Sequence, residues 1–229
     1  MIVADVMTTD VTTANSQMSI VDVAKLLWEK QISGVPVVND RGEPIGMITE
    51  GDLLRRGETD TTPRRSWWLE MLSTNRDLAS EYVKTHGTRV KDVMTRQVVT
   101  VVESTPLSVL ADLFERHRIK RVPVLRDGKL VGIVSRANLV RAIATATTAP
   151  SGSSEDDKIL RERLLSELKR QKWAEASPSN VTVKDGVVHL WGTVLSEEER
   201  DALRVAAENI KGVRSVVNHT VVAPTTMQM

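Results

Sequence analysis

The chain has 229 residues, 41% hydrophobic and 27% charged, enough to bury one or two cores without covalent staples. It has no cysteine, which excludes disulfides, thiolate metal sites and a cysteine nucleophile and accords with a reducing compartment. With 31 basic and 30 acidic side chains the formal charge is +1, so no whole-chain field draws nucleic acid or an acidic membrane.

The opening Met-Ile-Val-Ala-Asp-Val-Met meets an acid at Asp5 and lacks a basic segment ahead of an apolar core, so no secretory signal is expected. No stretch approaches the roughly 20 apolar residues of a spanning helix, and the expected location is the cytoplasm. Asp5-Val-Met-Thr8 then recurs as Asp92-Val-Met-Thr95, and Val35-Pro-Val37 as Val122-Pro-Val124 at the same offset of 87. Gly46-Met-Ile-Thr49 recurs as Gly132-Ile-Val-Ser135 after a one-residue deletion. Recurrence in the same order marks an internal repeat.

In each copy a helical face forms at i, i+3, i+4, i+7: Ile20, Val23, Ala24 and Leu27, then Leu107, Leu110, Ala111 and Phe114. Thr105 as N-cap and Pro106 at the first helical position mark the start of the second of these helices. An apolar strand follows (Val35 to Val38, Val122 to Leu125), then a turn and a second strand (Ile45 to Ile48, Leu130 to Val134). A last helix begins near Asp52 or Asn138. The expected fold is α/β and α+β: two β-α-β-β-α repeats packed sheet on sheet as one module, over 1–56 and 90–143.

Residues 57–89 form an insertion with one or two short helices. There Trp67 and Trp68 point to different faces, and Arg55, Arg56, Arg64 and Arg65 cluster beside them. The tryptophans suit an interface or a clamp on the module's own core equally well. Residues 144–154, small and polar with Pro and Gly, read as a linker. Beyond it, over 155–223, comes a small α-β-β-α-β domain. A helix from Asp156 to Trp173 buries Leu160, Leu164, Leu165 and Leu168, and a hairpin turns at Asp185-Gly186. A capping box joins Ser196 and Glu199, and a last strand runs from Ser215 to Val222. An antiparallel sheet with helices on one face is expected.

The run D-V-M-T, about 25 residues, V-P-V, a D-x-G turn and G-h-h-[TS]-x-x-[DN] resembles the CBS domain, and two copies resemble a CBS pair. The resemblance implies binding of an adenosine-containing ligand (AMP, ADP, ATP, NAD or S-adenosylmethionine) in the cleft between repeats, with a regulatory role and a homodimer built through the repeats. It places adenine against Val35-Pro36 or Val122-Pro123, with Thr13 or Thr100 at the strand end. The tetrads Thr49-x-x-Asp52 and Ser135-x-x-Asn138 are helix caps on their own reading. Within the resemblance they serve ribose and phosphate, since a carboxylate accepts from a diol and a helix N-terminus presents free N–H groups. Asp52 matches the ribose-binding acid, whereas Asn138 has lost the charge. Lys120 and Arg121 precede Val122 where the first repeat has Ser33 and Gly34, so phosphates are expected on the second repeat's side.

The C-terminal run V-x-V-x-D-G-x-V-x-L-x-G-x-V, a helix and G-V-x-x-V-x-N resembles the BON domain, which implies a phospholipid or protein partner and a peripheral place at the membrane. Eleven basic and eleven acidic side chains between Asp156 and Val222 add no attraction to anionic lipid. Trp191 reads as core or as a contact residue. The four histidines, His86, His117, His189 and His219, are scattered without metal-ligand spacing, and no P-loop, G-x-S-x-G or G-x-G-x-x-G is present. No catalysis and no metal are expected. A ligand sensor with the BON-like domain as output or anchor stands against a dimerising scaffold or membrane-associated docking protein with no nucleotide ligand.

Overall fold

The computed structural model describes residues 1–54, 75–145, 155–174 and 180–223. The expectations for Trp67, Trp68, Arg55, Arg56, Arg64, Arg65 and most of the linker lie outside these residues. Backbone packing divides the chain into two units, one of Met1–Asp10, Thr100–Arg126 and Val131–Met229, the other of Val11–Val99 and Asp127–Leu130.

The unit holding the first repeat runs β1 (Ala14–Asn15), α1 (Ile20–Glu29), β2 (Gly34–Val38), β3 (Pro44–Thr49), α2 (Glu50–Leu54), α3 (Asn75–His86) and α4 (Val90–Val93). Helix α1 starts where Ser19 Oγ accepts the Asp22 N–H, and it buries Ile20, Val23 and Leu27. Strand β2 pairs parallel with β1 and antiparallel with β3, with Gly34 opposite Thr49. The core of this unit also takes in Val90, Val93 and Met94. Thr95 and Met47 exchange both backbone hydrogen bonds at 2.9 Å. The D-V-M-T segment that opens the second sequence repeat is therefore packed against the first.

The reverse holds in the other unit. There a 3₁₀ turn (Val3–Asp5) precedes β4 (Val101–Val102), α5 (Leu107–Arg116), β5 (Arg121–Arg126), β6 (Lys129–Ser135) and α6 (Arg136–Thr145). Val3, Val6 and Met7 enter the core formed by Leu110, Phe114, Val122, Val124 and Val134. Thr8 and Ile133 exchange both backbone bonds at 2.9 Å. Sequence repetition and packing are thus offset by one exchanged segment. Helix α5 begins one residue later than expected. Pro106, extended at ψ 145°, occupies the cap position, and Thr105 Oγ1 accepts instead from the Val102 N–H at 3.2 Å, folding back across the turn that leaves β4.

The C-terminal part comprises α7 (Glu155–Arg170), a 3₁₀ turn (Lys172–Ala174), β7 (Asn180–Lys184), β8 (Val187–Trp191), β9 (Thr193–Val194), α8 (Glu197–Glu208), β10 (Ser215–Asn218) and β11 (Val221–Val222). Asp185 and Gly186 both take positive φ, as a two-residue hairpin turn requires. Asp157 on α7 ties that turn down, accepting from the Asp185 and Gly186 N–H groups at 3.0 and 2.8 Å. The sheet is mixed, which corrects the antiparallel expectation. Strands β7 and β8 are antiparallel, but β10 lies parallel to β8, because α8 carries the chain back across the sheet before β10 begins. Leu160, Leu164 and Leu168 meet Val181, Val183, Val188, Leu190, Leu203 and Ala207 in one core. Among the described residues no helix is long and apolar enough to cross a membrane.

The exchanged segments depend on two glycines. A Cβ on Gly46 would lie 2.5 Å from Met94 Sδ and 3.2 Å from the Thr95 carbonyl. On Gly132 it would lie 2.6 Å from Met7 Sδ and 3.2 Å from the Thr8 carbonyl. The methionine can shift, whereas the paired backbone cannot. Gly46→Val and Gly132→Val should each lower unfolding free energy by about 1–3 kcal/mol in a urea titration, as overpacking does.

Candidate functional site

In both repeats the expected residues gather where strand ends meet a helix start. Thr13 lies just before β1, Val35 and Pro36 are buried on β2, Thr49 ends β3, and Asp52 stands in the first turn of α2. In the second repeat Thr100 precedes β4, Lys120 is exposed just ahead of β5, and Arg121 opens that strand half-buried. Val122 and Pro123 are buried, Ser135 ends β6, and Asn138 stands in the first turn of α6. A backbone bond closes each group: Glu50 N–H donates to the Ser33 carbonyl at 3.1 Å, and Arg136 N–H to the Lys120 carbonyl at 3.0 Å.

The tetrads share one geometry and differ in chemistry. Asp52 Oδ2 accepts from Thr49 N–H at 2.9 Å and from its hydroxyl at 2.7 Å. Asp52 is half-buried, and Oδ1 has no hydrogen-bond partner among the described residues. Asn138 Oδ1 accepts from Ser135 N–H at 2.8 Å and from its hydroxyl at 2.6 Å. Because those donors fix the oxygen, the amide nitrogen faces the other way and donates to the Val6 carbonyl at 2.8 Å. Asn138 is 4% exposed. Its oxygen and nitrogen are both engaged and the side chain is buried, whereas Asp52 keeps an acceptor without a partner among the described residues.

The charge contrast reaches beyond Lys120 and Arg121. The residue after the tetrad hydroxyl is Glu50 in one repeat and Arg136 in the other. Arg136 donates to the Ile119 and Phe114 carbonyls at 3.0 and 2.9 Å, completing the C-terminus of α5 and fixing a positive charge beside Ser135. Its position next to the tetrad was the available signal.

Two further groups escaped sequence reasoning. Arg161, 8% exposed, donates from Nε to the Val181 carbonyl at 2.7 Å and from Nη2 to the Met7 carbonyl at 2.6 Å. Burial pushes its guanidinium down to about 10, with the charges of Asp5 and Glu162 working against the fall. With Leu164, Leu165 and Leu168 it completes an i, i+3, i+4, i+7 stripe, and a charge on an apolar stripe was its signal. Asn180, 4% exposed, donates to the same Val6 carbonyl at 3.0 Å and to Thr8 Oγ1 at 3.2 Å. The other group is a histidine pair: His189 Nδ1 lies 3.1 Å from His219 Nε2, and Trp191 stacks on His219 at 3.8 Å between ring centroids. Trp191 is half-buried in this stack, between the two readings the sequence left open.

These contacts set measurable contrasts. Asp52→Ala removes a partly exposed cap and should cost about 1 kcal/mol, whereas Asn138→Ala empties a buried position, leaves the half-buried Ser135 N–H and hydroxyl without their acceptor and leaves the Val6 carbonyl to Asn180 alone, and should cost about 2–4 kcal/mol in denaturant unfolding. Both His189 and His219 are lowered from the usual histidine value of 6.5, His189 first by burial and then by its neighbour, His219 by burial. The folded state therefore binds fewer protons than the unfolded chain. Stability is present above that value and falls as pH drops through it. Urea titrations between about pH 7.5 and about pH 5.5 should show a smaller acid loss in His219→Gln than in the unaltered chain.

Comparison with known proteins accords with this architecture. Residues 3–58 and 90–145 match the CBS domain, and residues 156–224 match the BON domain. The CBS domain-containing protein CBSX2, chloroplastic, of Arabidopsis thaliana is 36% identical over 134 residues, covering 54% of this chain and 55% of that protein. The chain thus spans about half the length of that relative. The uncharacterized protein MJ1426 of Methanocaldococcus jannaschii is 33% identical over 139 residues, covering 54% of this chain and 80% of that protein. The crystal structure of CBSX2 in complex with AMP superposes with a TM-score of 0.56 at 32% identity, covering 64% of this chain and 98% of that one. With two CBS matches in the repeats and a BON match after them, the chain belongs to the CBS domain family as a tandem CBS pair followed by a BON domain.

Proposed function

We propose that the chain is a non-catalytic regulatory protein that binds an adenosine-containing ligand through its first repeat, with the BON domain as output or as anchor to a phospholipid surface or protein partner. The observation that carries this reading is Asp52: a half-buried carboxylate held in place through one oxygen, with the other without a hydrogen-bond partner among the described residues. A ribose diol needs such an acceptor. The AMP held by the related CBSX2 structure supports the ligand class. Asn138, buried with its oxygen accepting from Ser135 and its nitrogen donating to Val6, argues against a second ribose there. Val21 and Trp28, 62% and 77% exposed on the outward side of α1, support a homodimer through the repeats.

Calorimetry with AMP should show binding that weakens roughly ten- to a hundredfold in Asp52→Ala, the size of a charge-assisted hydrogen bond. Undiminished affinity would overturn the ribose assignment. Replacing both Lys120 and Arg121 by Ala should reduce ATP affinity far more than adenosine affinity, since the nucleoside makes no contact that needs a cation. Equal losses would remove these residues from phosphate binding.

A further inference from the structure

Side chains of the BON domain reach the backbone and side chain of the short segment Val6–Thr8 in the second repeat's packing unit. Three side chains converge on its carbonyls: Asn138 from the repeat and Asn180 from the BON domain on Val6, and Arg161 from the BON domain on Met7. All three are at most 8% exposed, so water cannot substitute when a bond is lost. Two acceptors in the joint, Asp5 Oδ1 and Asn180 Oδ1, are buried without a hydrogen-bond partner among the described residues. A buried joint with unpaired oxygens is less stable than a fully satisfied one, so a small displacement can shift its balance. The matching segment Asp92–Thr95 differs: Thr95 is exposed, and among the described residues no side chain donates to the Val93 or Met94 carbonyls.

The same stretch leads directly to the first repeat. Only residues 9–12 separate Thr8 from Thr13, the strand-end residue assigned to the ligand, and β1 follows at once. We propose that Arg161 and Asn180 form a latch on the Val6 and Met7 carbonyls through which the BON domain reads ligand occupancy of the first repeat, tension passing along residues 9–13. This rests on the ligand site proposed above. It makes the second repeat a receiver: position 138 donates to the joint only as an amide, and an acid there could not serve both as ribose acceptor and as donor to Val6.

Hydrogen exchange of the full-length protein tests the latch, followed across Asn180–Lys184 with and without saturating AMP. AMP is expected to change exchange there about five- to tenfold, and the change should vanish in Arg161→Gln and Asn180→Asp. AMP affinity in those variants should shift by the same factor, because coupling is reciprocal. If AMP binds in an Asp52-dependent way and leaves this exchange unchanged, the latch is not the output path. Absence of AMP binding, or binding indifferent to Asp52→Ala, overturns the ligand site instead. The latch is then decided without ligand, where Arg161→Lys and Asn180→Asp should each speed exchange in Asn180–Lys184 about tenfold over Glu197–Glu208. No rise overturns it. An equal rise in Glu197–Glu208 does so too, since the residues would then hold the domain together and not to the repeat.

Discussion

Two backbone carbonyls, of Val6 and Met7, constrain the second repeat and the BON domain together. They belong to a segment whose side chains are buried, so water is not available and each oxygen must find a donor within the protein. Val6 receives two amides and Met7 a guanidinium. The donors come from three different elements, α6, β7 and α7, and their positions are therefore mutually dependent. Arg161 is the least replaceable of them, because one planar group satisfies both Met7 and the outer edge of β7 at Val181.

The two repeats, built on one plan, have become chemically unlike. A carboxylate stands at 52 and an amide at 138; a serine and a glutamate stand where the other copy has Lys120 and Arg136. Each difference is small alone. Together they leave Asp52 Oδ1 without a hydrogen-bond partner among the described residues and place Lys120, Arg136 and a buried amide in the second repeat. The backbone frame is common to both copies, since strand pairing and the Met47–Thr95 and Thr8–Ile133 backbone bonds recur in each, and among the described residues only the second tetrad adds a side-chain bond to the exchanged segment.

On the BON sheet, cross-strand pairing sets Asn180 opposite Trp191 and Thr182 opposite His189. The latch amide and the stacked imidazoles thus share one face of β7 and β8, the face turned away from the helices that cover Val181 and Val183. Neutral imidazoles suit that place, since His189 and His219 share one hydrogen bond and a charge on both would repel.

Periodicity and turn chemistry by themselves determined much of this protein. Ile20, Val23 and Leu27 or Leu160, Leu164 and Leu168 mark helices because one face must be apolar, and Asp185-Gly186 marks a hairpin because both residues adopt positive φ. The tetrads were legible because the spacing of a hydroxyl and a carboxylate or amide at i, i+3 is local. What only the tertiary structure decided is nonlocal. D-V-M-T occurs twice in identical form, so no local preference reveals that the segments are exchanged. The mixed sheet depends on the path of α8 across it, the histidine pair on the register of β8 with β10, and the roles of Arg161 and Asn180 on carbonyls more than 150 residues away in the chain. A buried polar side chain is defined by its partner, and the partner is supplied by folding.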